Sequence, residues 1–335
     1  MMQPSRIGIQ LWPVAATGIE EKDMSRIDRI VLNRRQVMQT GLLAGAAASL
    51  PHSLLAADAN PAVIAKPIPS TGEKIPVIGV GTNQFGRTDY AAVRDVLKRM
   101  YELGGTVIDT AAGYGESETQ IGKALAELNL TDKMFIVTKF NGDGYGGPPY
   151  GKASVDRSFQ RLKKVDLLFI HMLSSVDSQM PLLQELKKQG RVKYIGITST
   201  RADEYPQIAA FMRKYPMDIV QLKYSLEDRA IEREVAPLAL EKKIGIQVAQ
   251  PFDGSRNSLI SKAGSRALPP WAADYDIKTW GQFFLKYVAS HPAVISAVPG
   301  STKVSHIEDN QAAGRGRLPD AAGRKKMEEF WATVS

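Results

Sequence analysis

From residue 66 onward, short aliphatic and β-branched runs alternate with longer stretches whose apolar positions recur every three to four residues. The runs predict eight strands, at 77–80, 106–109, 135–138, 166–170, 193–197, 218–222, 245–249 and 294–298. Between them, Val93, Val96, Met100 and Leu103 fall on one helix face before a Gly104-Gly105 stop. Leu182, Leu183 and Leu186 do the same before Gly190, as do Val235, Leu238 and Ala239 before Gly245. Each helix therefore buries one stripe. The run Leu167-Leu168-Phe169-Ile170 is apolar on both faces, as in a parallel strand covered by helices. A strand-plus-helix unit recurring eight times predicts a single α/β domain, a closed (β/α)8 TIM barrel, with an insertion in the long interval before the last strand. The segment 68–75, turning at Thr71-Gly72-Glu73, predicts a hairpin that precedes the first strand and plugs the barrel's bottom.

Residues 1–59 follow neither period. From Gln36 to Ala57 there is no Asp, Glu, Lys or Arg, yet Gly41, Gly45, Ser49 and Pro51 interrupt the stretch. It falls short of the ~20 predominantly apolar residues of a membrane span, so no stable membrane insertion is expected. Just upstream stands Asn33-Arg34-Arg35-Gln36-Val37-Met38, which resembles a twin-arginine export signal. Ala57 and Ala59 fit a small-residue cleavage site before Asn60, and Met24 fits a start codon with a basic segment of ordinary length. The expectation is a signal and linker over 1–59, a barrel over 60–335, and export to the periplasm by the twin-arginine machinery, which carries folded proteins.

Composition narrows the chemistry. There is no cysteine, hence no disulfide, thiolate metal site or thiol nucleophile. Net charge is +8, but no dense basic run makes a nucleic-acid footprint. In such barrels the active site lies at the C-terminal ends of the strands. The second predicted strand ends in Asp109, with Tyr114 shortly after it; the third is followed by Lys139 and the fourth by His171. Four ionisable groups thus meet at one rim. An ammonium near a phenol favours the phenolate, so Lys139 is expected to lower the pKa of Tyr114, and Asp109 to hold Lys139 charged. His171 would hydrogen-bond a substrate carbonyl and orient it toward Tyr114. With no metal or thiol site visible, the reductant implied is an organic hydride donor.

The string Asp109-Thr-Ala-Ala-Gly-Tyr114-Gly-Glu-Ser-Glu118, the later Lys139 and His171, Gly79-Val-Gly81-Thr82, and Val298-Pro-Gly-Ser-Thr-Lys303 with Asn310 resemble the aldo-keto reductases over residues 66 to 315. That resemblance implies a barrel that binds NADPH in extended form and reduces a small aldehyde or ketone, or oxidises the alcohol in reverse. It implies Tyr114 as general acid, Lys139 and Asp109 as its supporting pair and His171 as the carbonyl-orienting residue. The cofactor contacts implied are Gly81, Thr82, Thr198, Ser199, Gln221, Gln250, Ser301, Lys303, His306, Asp309 and Asn310, with Gln221 at the nicotinamide amide and Asp309 and Asn310 at the adenine. Where the family commonly places a lysine and an arginine at the 2′-phosphate, this chain has Gly300 and His306, so NADH remains open beside NADPH. Thr198-Ser199 and Gln250 depart from the family pattern. They favour an alternative reading as a nucleotide-binding redox sensor or accessory subunit with little turnover.

Taken singly, Asp109 and Lys139 read as a structural ion pair, Tyr114 as a loop aromatic and His171 as a satisfied strand-end histidine. Their joint occurrence with the motif points to chemistry. Gly142 to Gly147 lacks a Gly-Lys-Ser/Thr ending and reads as a rim loop. Segments 172–179 and 225–230 read as short loops over an open pocket, and Trp271 and Trp280 as packing against the barrel.

Overall fold

The computed structural model describes residues 61–141, 148–254 and 258–334. The expected signal over 1–59 and the rim loop Gly142 to Gly147 lie outside them. A two-stranded antiparallel hairpin, β1 (Ala65–Pro67) and β2 (Lys74–Pro76), comes first. Eight parallel strands follow in sequence order: β3 (Val80–Gly81), β4 (Val107–Asp109), β5 (Phe135–Phe140), β6 (Leu167–Ile170), β7 (Tyr194–Ser199), β8 (Ile219–Lys223), β9 (Gly245–Ala249) and β10 (Val294–Ala297). Parallel bridges Ile78↔Ala297 and Gly81↔Gly300 join the first strand to the last, which closes the barrel. The eight predicted strands are all present. The first is shorter than predicted, Val80–Gly81, and around it Gly79 and Gly81 lie so close to their neighbours that a Cβ on either would strike Val107 O at 2.6 Å or Val298 O at 2.7 Å.

Helices α1 (Tyr90–Glu102), α2 (Ser117–Glu127), α3 (Pro148–Leu162), α4 (Val176–Lys188), α5 (Tyr205–Lys214) and α6 (Val235–Lys242) alternate with the strands. After β9 come α7 (Leu259–Ala263), a 3-10 turn over Pro270–Tyr275 and α8 (Trp280–Ser290), which fill the predicted insertion; α9 (Val304–Ala313) and α10 (Ala321–Ala332) end the chain. In α1 the stripe Val93, Val96, Leu97 and Met100 is buried, and Asp89 caps the helix by accepting from Ala91 N at 2.9 Å. Segment 172–179, expected as a loop, is mostly helical: a 3-10 turn Leu173–Ser175 runs straight into α4. Trp271 and Trp280 pack on Phe283, Phe284, Phe330 and Trp331, as expected.

Side chains alternate across each strand, and this places the site. One set of residues packs outward against the helices. The other set, including Val107, Phe135, Val137, Leu167, Phe169, Ile219 and Ile295, forms a separate cluster with Ile68 and Ile75 of the hairpin. The hairpin therefore closes the bottom of the barrel, as predicted. Lys66 ties it there, donating to the carbonyls of Ala289, His291 and Val294 at 2.6–2.9 Å. Continuing the same inward alternation upward leads from Val107 to Asp109, from Val137 to Lys139 and from Phe169 to His171. The apolar floor of the barrel and its polar upper layer are thus consecutive turns of one period.

Candidate active site

A cavity of about 910 Å³ opens at the C-terminal ends of the strands, within the range of small-molecule sites. Asp109, Tyr114 and His171 line it. Below them the Lys139 ammonium lies 2.7 Å from Asp109 Oδ2 and donates to Thr110 O at 2.8 Å; Lys139 is 1% exposed and Asp109 4%. The same ammonium sits 5.3 Å from the centroid of the Tyr114 ring, and the Tyr114 and His171 rings meet edge to face at 6.0 Å. The four residues predicted from three strand ends are brought together.

The loop carrying Tyr114 is fixed by its own sequence. Thr82 Oγ1 donates to Asp109 O at 2.9 Å, Ser117 Oγ reaches Thr82 and Thr110, and Ala112 N donates to Lys139 O. Gly86 packs against the loop so closely that a Cβ would lie 2.3 Å from Tyr114 O. Only glycine allows that approach.

Electrostatics separate the two candidate proton donors. Burial pushes the Tyr114 phenol above its usual value; Lys139 pulls it down and Asp109 pushes it up. The sequence reading gave the sign of the lysine's effect correctly, but the net shift is upward because burial outweighs it. Tyr114 therefore holds its proton at neutral pH. Burial, followed by repulsion from Lys139, lowers the pKa of His171 to about 4, and its Nδ1 has no partner among the described residues. Its imidazole is neutral at pH 7 and can orient an oxygen, but it is not an acid there.

The depressed histidines predict a pH dependence of stability. His291 is also lowered to about 4, by burial and then by Arg324 and Lys66. The unfolded chain takes up protons near pH 6.5, before the folded chain does, so stability is full above that value and falls as pH drops toward 4. We expect urea unfolding to show a loss of roughly 1–2 kcal/mol per histidine between pH 7 and 5, allowing for partial solvent screening. A His291→Phe variant should show a shallower slope. An unchanged slope in that variant contradicts the assignment.

Of the predicted cofactor contacts, Gly81, Thr82, Thr198, Ser199, Gln221, Gln250, Ser301 and His306 line the cavity. Several have their polar atoms committed elsewhere. Ser199 Oγ donates to Glu204 Oε2 at 2.5 Å and accepts from Arg201 N. Gln221 uses its Nε2 on Asp109 Oδ1 and Gln247 Oε1, both at 2.7 Å, and so has no amide hydrogen to spare for a nicotinamide. Gln250 is exposed, with φ +52°. Lys303, Asp309 and Asn310 do not belong to the cavity wall. Asp309 instead accepts from Thr279 Oγ1 at 2.9 Å and Gln282 Nε2 at 2.8 Å, tying α9 to the start of α8, while Asn310 is 5% exposed. Gln247, 1% exposed, was not anticipated. Its signal was a polar residue on the inward alternation of Gly245–Ala249.

The residues present fit a dinucleotide. Gly300, Ser301, Thr302 and His306 line the wall where α9 begins, and the N-cap Lys303 makes no side-chain capping bond. The helix start is thus open to an anion. Gly81 and Gly300 bring two backbones together on the same wall.

A closed parallel barrel with a Tyr–Lys–Asp–His cluster at its C-terminal mouth defines an oxidoreductase of carbonyl or alcohol groups. Residues 77–325 match the model of the aldo/keto reductase family, and the chain belongs to that family, whose members depend on NAD(P). It is similar to the NADH-specific methylglyoxal reductase of Escherichia coli K12, with 27% identity over 293 residues, which covers 73% of this chain and 89% of that protein. Among solved structures, the aldo-keto reductase AKR11C1 of Bacillus halodurans, in its holo form, superposes with a TM-score of 0.66 at 21% identity, covering 80% of this chain and 96% of that one. An aldo-keto reductase of Klebsiella pneumoniae in complex with NADPH gives a TM-score of 0.64 at 18% identity, covering 81% of this chain and 95% of that one.

Proposed function

We propose that this chain is an NADPH-dependent reductase of small aldehydes or ketones, reversible toward alcohol oxidation, with Tyr114 as general acid. The observation that carries the reading is the buried Lys139–Asp109 pair beside a protonated Tyr114 and a neutral His171, all at one end of a cavity whose wall includes the start of α9. When bound, the nicotinamide supplies a hydride to the carbonyl carbon. The chain's own residues do the rest. His171, neutral and lining the cavity, holds the carbonyl oxygen; Tyr114 gives that oxygen its proton; Lys139 offsets the charge left on the phenol; and Asp109 holds the Lys139 ammonium in place. Ser301, Thr302 and the open N-terminus of α9 would take a phosphate of the dinucleotide.

NADH is the alternative cofactor: Gly300 and His306 stand where a lysine and an arginine commonly meet the 2′-phosphate, and the E. coli relative is NADH-specific. Fluorescence titration with NADPH and NADH tests the reading. Tight binding of at least one supports it, and failure of both to bind overturns it.

Export is proposed on the sequence alone, from Arg34-Arg35 and the stretch that follows. Replacing both arginines by Lys is expected to retain the protein in the cytoplasm. Undiminished periplasmic recovery of that variant contradicts the proposal.

A further inference from the structure

Inside the barrel, above its apolar floor, four buried side chains form a hydrogen-bonded line. Lys139 binds Asp109 Oδ2; the other carboxylate oxygen, Oδ1, accepts from Gln221 Nε2; and Gln221 Nε2 also donates to Gln247 Oε1 at 2.7 Å. Gln221 Oε1 accepts from Thr198 Oγ1 at 3.2 Å. The Gln221 amide is thus held at both ends, and its orientation is fixed: a flip would turn its carbonyl toward the Asp109 carboxylate. Register accounts for the alignment. Thr198, Gln221 and Gln247 are paired neighbours on β7, β8 and β9.

Gln247 is a costly residue to place here. It is 1% exposed, and its Nε2 has no partner among the described residues. A buried amide with an unmet donor destabilises a fold, and an apolar side chain of the same volume removes that cost. Among the described residues its side chain bonds only to Gln221.

We propose that Gln247 is a positioning residue of the active site, clamping the Gln221 amide so that its N–H holds the Asp109 carboxylate against Lys139. The proposal rests on the reductase reading above. Without the clamp, Gln221 loses one of the two acceptors that fix its amide, and the negative charge of Asp109 is less fully met. Asp109 already raises the Tyr114 phenol and Lys139 lowers it. Less compensation of Asp109 therefore makes Tyr114 a weaker acid. The other titratable groups on the cavity wall are His171, Arg201, Glu204 and His306. Arg201 is paired with Asp203 and Glu204, and none of these three belongs to the line.

The test uses the full chain, a reducible aldehyde such as methylglyoxal as probe, and the variants Gln247→Met and Gln247→Glu. Gln247→Met removes the unmet Nε2 but leaves one buried Gln221 N–H without its acceptor, so the two effects offset and the thermal midpoint should change little. The substitution should lower kcat several-fold, to about tenfold, with the aldehyde KM within about twofold, and move the alkaline limb of the kcat profile up by about half a pH unit. Gln247→Glu keeps an acceptor for Gln221 but adds a carboxylate close to Asp109, so it should regain kcat only toward the acidic end of the profile, where that carboxylate is protonated. An unchanged kcat and profile in Gln247→Met overturns the proposal. So does a variant that fails to fold, since that would make the amide a structural requirement. Wild-type turnover and its loss in Tyr114→Phe are measured alongside. If the wild type is inactive, or Tyr114→Phe remains active, it is the reductase reading that fails; if both controls behave, a silent Gln247→Met removes only this inference.

Discussion

Tyr114→Phe is expected to reduce carbonyl turnover by at least about 10²-fold, the lower end of what a positioned general acid contributes. The reason is that neither neighbour in the cluster can replace it. His171 has its pKa near 4 and is neutral at working pH, while the Lys139 ammonium is committed to Asp109 and Thr110 O beneath the cavity. Phenylalanine keeps the ring, and with it the edge contact to His171 at 6.0 Å, so the fold and cofactor binding should be retained. Loss of absorbance at 340 nm in the presence of aldehyde gives the rate, and fluorescence titration gives the cofactor affinity. A variant within tenfold of wild type would mean that the proton comes from elsewhere, whereas one that loses cofactor affinity as well would move Tyr114 from chemistry to binding.

Breaking the ion pair beneath it should affect stability and turnover together. Asp109→Ala leaves the ammonium of Lys139 buried, 1% exposed, without a counter-ion among the described residues and with Thr110 O as an acceptor. Removing one member of such a pair costs about 3–5 kcal/mol, because the remaining charge has lost its counter-ion in a low-dielectric interior. Lys139→Met leaves Asp109 to Gln221 alone and should cost a similar amount. The double variant Asp109→Leu/Lys139→Met removes both charges and should be less destabilised than either single change. Urea midpoints of the three variants check this, and strictly additive losses would contradict it. All three should lack turnover, the double variant included. That separates the pair's contribution to the fold from its part in tuning Tyr114.

The barrel and the four central residues were legible in the sequence because both depend on short-range pattern. Apolar runs at strand-plus-helix intervals fixed the strand count, and strand ends are where inward alternation meets the mouth, so Asp109, Lys139 and His171 had to converge. The hairpin plug was legible for the same reason, since Ile68 and Ile75 flank a turn sequence. What was not legible depends on burial and on long-range partners. The net upward shift of Tyr114 is set by how deeply the phenol lies, which motif spacing does not report. Asp309 occupies a familiar place in a motif, but Thr279 and Gln282, some 30 residues earlier on another helix, take its carboxylate. Gln221 lines the cavity as expected, yet its amide hydrogens are directed to Asp109 and Gln247. Gln247 itself was visible as a polar residue on the inward side of an apolar strand; what it holds emerges only when β8 and β9 are brought into register.

The central claim is that a hydride and the Tyr114 proton are added to a carbonyl at this mouth. The most direct measurement follows deuterium from [4-²H]-labelled NADPH or NADH during reduction of an aldehyde by the purified protein. The account predicts one deuterium on the carbinol carbon of the product, none on its oxygen after exchange, and no transfer in the Tyr114→Phe variant beyond a slow residue. Tight binding of the labelled nucleotide with no label reaching any of a broad panel of aldehydes and ketones would contradict it, and would leave a barrel that holds a nicotinamide without using it.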